Sequence, residues 1–294
     1  MMSASASSQP IGERGLTRIT SSPHEEMEPQ WSPEGGRLSY GSGRQGDQNV
    51  FIYDFETRKE IQVTQGLAFV HSTSWSPKGD RIAYVTTVET QDGINSHIYT
   101  VDLRGLTTEQ ATHARSIDGS PSWSPDGALM AFPSRRSGVF NLWIQPLDGS
   151  DARMVTDHPE TDHGPEWSPD GRKIAFHSDR GESTSIWILT VESGALTQLT
   201  KDLGNDQYPD WSPDGRYIVF NSDRSGNHDI WIQSVASGEA IQVTTDTGAD
   251  IRPSWSPDGR KIAFSSDRAG SMDIWVLDVP ELPAPLNRSG HPAN

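Results

Sequence analysis

The sequence predicts an all-β fold: a six-bladed β-propeller of four-stranded antiparallel blades, closed by an N-terminal strand that completes the last blade. The triplet Trp-Ser-Pro recurs at Trp31, Trp75, Trp123, Trp167, Trp211 and Trp255, with spacings of 44, 48, 44, 44 and 44 residues. A fixed period of this length marks a stack or ring of like units. Between successive triplets the chain holds four short apolar or alternating segments separated by turn residues, which is the signature of a four-stranded antiparallel sheet. Six such sheets arranged radially make a propeller.

The elements follow in chain order. Residues 1–13 are small and polar and are expected to be a disordered tail. Leu16–Thr20 alternates apolar and polar and reads as a strand. It resembles the segments ending on Thr64, Thr112, Thr156, Thr200 and Thr244, and all six Thr residues lie 11 positions before the next repeat Trp. Each Trp sits on the first strand of a unit. A turn follows, as in Pro213-Asp-Gly215, where Pro presets the first turn position and Gly supplies a positive φ. The second strand ends on an aromatic nine residues after the Trp: Tyr40, Tyr84, Phe132, Phe176, Phe220 or Phe264. The third carries Phe51, Tyr99, Trp143, Trp187, Trp231 or Trp275. These aromatics read as inter-blade packing, not as a ligand box. The sixth unit ends at Asp278, and the Pro-rich segment after it cannot supply a paired strand. Leu16–Thr20 is therefore expected to close the ring, with the propeller spanning 14–280 and a second tail at 281–294.

The repeat Pro-x-Trp-Ser-Pro-Asp-Gly-x-x-Ile-Ala-Phe-x-Ser-Asp-Arg-x-Gly…Asp-Ile-Trp, seen nearly intact in Pro165–Trp187 and Pro253–Trp275, resembles the TolB-type, or WD40-like, propeller repeat. The resemblance covers residues 16–278. It implies the fold strongly and the function weakly, because such repeats serve envelope proteins, peptidases and lyases alike. It is a resemblance in the propeller only: neither a TolB-type N-terminal domain nor a signal peptide is read in the chain.

Composition narrows the partners. A net charge of −16 opposes nucleic-acid binding and docking on anionic membranes. It suits a basic partner, or serves simple solubility. The absence of cysteine removes disulfides, thiolate catalysis and cysteine zinc sites. With no export signal and no apolar run long enough to span a bilayer, the chain reads as soluble and cytoplasmic.

Candidate site residues lie just before each Trp, on loops expected at one mouth of the central channel. Five positions before it stand Glu26, Val70, Asp118, Asp162, Asp206 and Asp250. This acidic ring could hold a cation or a basic side chain, or each acid could hydrogen-bond its own loop. One position further, and two, the copies diverge and bring His71, His163, Gln207, Tyr208 and Arg252 to the mouth, with His24, His158 and His177 near. His71, His163 and Gln207 could hold a divalent cation, the imidazoles could act as acid and base, or all could be polar loop residues. An Arg recurs in Ser178-Asp-Arg180, Ser222-Asp-Arg224 and Ser266-Asp-Arg268, and is expected to pair with a nearby Asp such as Asp229 or Asp273. Blade 2 lacks this Arg and carries an insertion, Thr86–Ser96, a candidate recognition loop. The leading expectation is a non-catalytic binding module that receives a protein, peptide or glycan ligand at an acidic mouth. The alternative is a metal-assisted lyase or hydrolase at the same place.

Overall fold

A computed structural model of the chain describes residues 13–44, 46–66, 70–90, 93–201, 204–279 and 282. Of the two expected tails, residues 1–12, 281 and 283–294 lie outside the described residues. Glu13 is described, and its carboxylate bonds Arg268 at 2.8 Å.

The six sheets are those the repeat demands, each four-stranded and antiparallel. Blade 1 runs Glu26–Trp31, Arg37–Ser42, Asn49–Asp54, Lys59–Gln62, and the later blades repeat this order. The sixth consists of Asp250–Trp255, Lys261–Ser266, Asp273–Asp278 and, from the other end of the chain, Thr17–Arg18. Thr17 pairs with Val276 and Arg18 with Trp275, so the N-terminal strand closes the ring.

Local chemistry explains the repeated residues. The turn Ser sits at the strand end: Ser124 Oγ accepts the Leu129 N–H at 2.9 Å, while Asp126 Oδ1 accepts the Ser124 hydroxyl at 2.6 Å. Gly127 then takes φ 73°, a conformation that costs other residues a Cβ clash. The Thr that ends each fourth strand is also specific. Its Oγ1 accepts a third-strand N–H, as in Thr64 from Val50 at 2.9 Å and Thr200 from Ile186 at 2.9 Å. N-terminal Thr20 makes the same bond to Ile274 at 2.9 Å, which marks it as the missing piece of blade 6.

The core is divided among the seams. Each apolar cluster draws on two adjacent blades: Ile186 and Ile188 of blade 4 pack on Trp211 and Phe220 of blade 5, and Ile274 and Val276 of blade 6 on Trp31 and Tyr40 of blade 1. The aromatics at Tyr40, Tyr84, Phe132, Phe176, Phe220 and Phe264 are all fully buried, as packing residues should be.

The blade 2 insertion is not a loose loop. It lengthens the second and third strands to Arg81–Thr90 and Gly93–Asp102, paired throughout. Hydrogen bonds from Ser96 Oγ to Asp118 O (2.6 Å) and from Asp118 N to Ser96 O (3.0 Å) tie its outer edge to blade 3. Among the described residues no helix is long and apolar enough to cross a membrane.

Candidate functional site

The first strand of five blades contains a bulge at one position, three residues before the repeat Trp. There the pairing register shifts, and Glu28, Ser72, Gly164, Tyr208 and Arg252 adopt φ of 62°, 55°, 56°, 53° and 53°. A bulge leaves one residue unpaired and re-aims its side chain. Here it aims at the propeller axis, where these residues and Ser120 line the channel. Blade 3 has no such bulge; its first strand is only Ser122–Trp123. Left-handed backbone costs a non-glycine residue roughly 1–2 kcal/mol. Four of the five positions accept that cost instead of using Gly.

The acids of the ring are buried, and of them only Asp118 also borders the mouth cavity. Glu26, Asp118, Asp162, Asp206 and Asp250 are at most 1% exposed. Each is ion-paired with the Arg that follows it by 18 residues: Arg136 to Asp118 at 3.1 Å, Arg180 to Asp162 at 2.6 Å, Arg224 to Asp206 at 2.7 Å, Arg268 to Asp250 at 2.7 Å, and Arg44 to Glu26. Each Arg also bonds a Ser of its own hairpin and lies over two aromatic rings; Arg180 stands 5.4 Å from Phe176 and 5.0 Å from Trp187. The acids of the expected mouth thus face arginines of their own blades. The carboxylates are ion-paired inside their own blades, where the cation offsets the burial of the charge. Burial still leaves Asp206 and Asp250 above the ordinary carboxylate range despite their arginines. The expected Arg partners are corrected, since Asp273 pairs with Arg18 at 2.6 Å and Asp229 with Ser225 at 2.5 Å.

The diverging residues do converge. A cavity of about 530 Å³ at the mouth is lined by His71, His163, Gln207, Tyr208 and Arg252, and also by His177, Asp179 and Phe140. The blade 2 hairpin adds Thr87 and Ile94, the latter 65% exposed. His24 and His158 do not line it. Four rings form an arc from blade 3 to blade 5: Phe140 to His163 (4.5 Å between centroids), His163 to His177 (5.7 Å) and His177 to Tyr208 (4.9 Å). Arg252 ends the arc, its guanidinium 3.9 Å from the Tyr208 ring centre and bonded to the Tyr208 hydroxyl at 3.0 Å. On its other side, toward the neighbouring blade 1, it pairs with Glu28 at 2.7 Å. The other Glu28 oxygen accepts the Ser72 N–H, and Ser72 Oγ bonds His71 Nδ1 at 3.0 Å and the Ser120 hydroxyl at 3.0 Å.

These surroundings fix the charges. Burial pushes His71 down; Glu28 opposes this and Arg252 reinforces it. Burial likewise lowers His163, against Asp179 and Asp162. His177 falls to about 3, through burial, then His163 and Arg252, with Asp179 opposing. Burial would raise Glu28, but Arg252, His71 and the Ser72 bonds outweigh it and hold the group low. At neutral pH the mouth therefore presents three uncharged imidazoles, each able to donate and accept, beside a balanced Glu28–Arg252 pair. Neutral imidazoles are the form that ligates metals. Among the described residues, however, no three His, Cys, Asp or Glu side chains are grouped to hold a metal ion.

Sequence reasoning missed Asp179 and Phe140, which sit one blade position away from the aligned columns. It also missed why Gly164 is glycine. A Cβ there would lie 3.0 Å from His177 Cε1 and Nδ1, at φ +56°. We expect Gly164→Ala to cost about 1–2 kcal/mol in urea denaturation and to shift the His177 ring resonances. An unchanged midpoint would show the strand relaxing at no cost.

A family model described as the TolB beta propeller domain matches residues 12–163 and 140–247. The chain is 31% identical over 138 residues to the Protein TolB homolog of Chlorobium luteolum, covering 47% of this chain and 30% of that protein. It is 31% identical over 127 residues to the Tol-Pal system protein TolB of Bordetella pertussis, covering 43% of this chain and 28% of that protein. The matched region thus spans less than a third of these relatives. Among solved structures, one described as TolB of Agrobacterium tumefaciens superposes with a TM-score of 0.66 at 26% identity, covering 79% of this chain and 98% of the other. The oligogalacturonate lyase of Vibrio parahaemolyticus superposes with a TM-score of 0.64 at 14% identity, covering 90% and 94%, and shares the fold alone.

Proposed function

The chain belongs to the TolB β-propeller domain family, and from that premise we propose that it is a non-catalytic binding module whose channel mouth receives a protein or peptide segment. The observation that carries this reading is the strained ring. Glu28, Ser72, Tyr208 and Arg252 hold left-handed backbone where Gly would be cheaper, and their side chains point into the channel. Strain retained at one ring of positions marks a functional surface. The cavity is two-sided. Ile94, Ile117 and Phe140 offer an apolar wall, while Gln207, Tyr208, Arg252 and the imidazoles offer hydrogen bonds. Such a pocket suits one side chain and its flanking peptide groups.

The test is selection of linear peptides displayed on phage, with counter-selection on a Gln207→Ala/His163→Ala variant. Gln207 carries no part of the ion-pair network, so this variant keeps the mouth folded. Selected peptides should bind the wild type at least about tenfold more tightly than the variant, a loss of about 1.4 kcal/mol. Binding should survive addition of a chelator. Peptides that bind both proteins equally would place the ligand surface elsewhere, and enrichment from an oligosaccharide panel alone would move the reading to glycans.

A further inference from the structure

The seams between blades repeat as the blades do, so one seam can show what another is built to hold. Between blades 5 and 6 the arginine of the blade 6 clamp carries two acids. Arg268 Nη2 donates to Asp250 at 2.7 Å, and its Nη1 donates to Glu13, from the N-terminal segment, at 2.8 Å. The other Glu13 oxygen accepts the Thr245 N–H at 3.5 Å. Three residues on, Leu16 packs on the apolar cluster of the same seam, which includes Trp255 and Val243. Blade 1 uses the same Nη1 atom for a second acid, since Arg44 Nη1 donates to Glu60.

The seam between blades 2 and 3 has the matching parts. Counted from the repeat Trp, Arg136 stands at the position of Arg268, and His113 at that of Thr245. Arg136 Nη2 donates to Asp118 at 3.1 Å and Nε to Ser134 Oγ at 2.9 Å, while Nη1 has no acceptor among the described residues. The Arg136 side chain is 17% exposed, against 6% for Arg268. Arg136 and His113 line a cavity of about 840 Å³. The cavity at the seam of blades 5 and 6 reaches Trp255 but not Arg268.

One small residue opens this groove. The residue before each strand-ending Thr is Ile19, Val63, Val155, Leu199 or Val243 elsewhere, and in blade 2 it is Ala111. The missing methyl groups uncover the next Trp. Trp123 is half-buried, whereas the other five repeat Trp residues are at most 9% exposed. Ala111, Trp123, Leu147 and Ala152 give the cavity an apolar floor. Most acids on its rim are already engaged: Asp80 and Asp126 accept the Ser76 and Ser124 hydroxyls, and Glu109 pairs with Arg81. Asp151 and Lys78, one of each sign, have no partner among the described residues.

We propose that the groove between blades 2 and 3 is a second docking site, which takes an extended polypeptide segment of a partner protein bearing an acidic side chain and, three residues later, an apolar one. The carboxylate bonds Arg136 Nη1 as Glu13 bonds Arg268, a charge-assisted contact. The apolar side chain covers Ala111 and Trp123, removing apolar surface from water. Glu13 and Leu16 are the template for both contacts. The proposal does not rest on what binds at the mouth.

The probe is a blocked heptapeptide copying residues 12–18, with both arginines replaced by serine, because Asn141 stands where Asp273 receives Arg18. It is titrated into the full chain and followed at the Trp123 indole and His113 amide resonances. Both should shift and saturate with a Kd below about 1 mM. Ala111→Val restores the side chain of other seams; it should not lower the urea midpoint and should weaken binding at least about tenfold. Glutamine in place of the peptide's glutamate should weaken it as much. Sodium acetate, which lacks the apolar group, should need concentrations at least about tenfold higher for the same shifts. Equal binding by wild type and Ala111→Val, equal binding of the two peptides, acetate as effective as the peptide, or no saturation would each overturn the proposal.

Discussion

Arg180→Ala is expected to destabilise the protein by about 3–5 kcal/mol, the cost of stranding a buried carboxylate. Asp162 is wholly buried, and Arg180 supplies both of its short bonds, at 2.6 and 2.7 Å. The loss would appear in the urea midpoint. Arg81→Ala provides the contrast. Its bond to Glu109 is long, at 3.3 Å, and exposed on both sides, so the change should fall within about 1 kcal/mol. Blade 2 suggests the rescue, since it has Val70 in place of the acid, fully buried. Asp162→Val added to Arg180→Ala should recover most of the loss, because no charge is then left unpaired. If the double variant is no better than the single one, stacking of Arg180 on Phe176 and Trp187 is the larger contribution and the ion-pair account fails.

Removing residues 1–20 should do comparable damage by another route. The deletion takes Arg18 from Asp273, which has no exposure. It also takes Thr20 from the Ile274 N–H at 2.9 Å and opens the edge of Asp273–Asp278. Stranding Asp273 alone costs about 3–5 kcal/mol, and a bare edge invites pairing between molecules. The expected outcome is a lower denaturation midpoint together with dimers or larger species in light scattering. Joining residues 13–20 after residue 279 through a flexible linker should restore the monomer. A truncated chain that stays monomeric with an unaltered midpoint would refute the closure argument.

The scaffold was legible because its signals repeat. The Trp spacing, the hairpin turn and the Thr eleven residues before each Trp all mark backbone geometry, and geometry is what the blades share. Even ring closure could be read, from one spare strand at one end and one missing at the other. The arginine partners of the acids were not legible because column alignment reveals recurrence and not direction. Nothing in an Asp at one position says whether it faces the channel or an Arg. The signal that would have settled it was the joint absence in blade 2, where Val70 replaces the acid and no Arg follows. Residues that depend on each other disappear together. His71, His163, Gln207, Tyr208 and Arg252 were found because they break the repeat. Their surroundings were not, since neither the neutral state of the imidazoles nor the Glu28–Arg252 bond, between blades adjacent in the ring but at opposite ends of the chain, leaves a trace in spacing. The left-handed bulge was equally invisible, because only one of its five positions, Gly164, carries the Gly that would have announced it.

The ion-pair clamp has one more consequence. Acid and Arg lie 18 residues apart on one hairpin, so each blade except blade 2 anchors the base of its own channel strand. The residue that projects into the channel sits just beyond this anchor. Its identity can change while the anchor, the turn and the seam stay as they are. The mouth is therefore organised as a row of interchangeable slots, each of which evolution or an experimenter can refill singly. A new binding specificity needs no redesign of the ring, only a different word in one of the six slots.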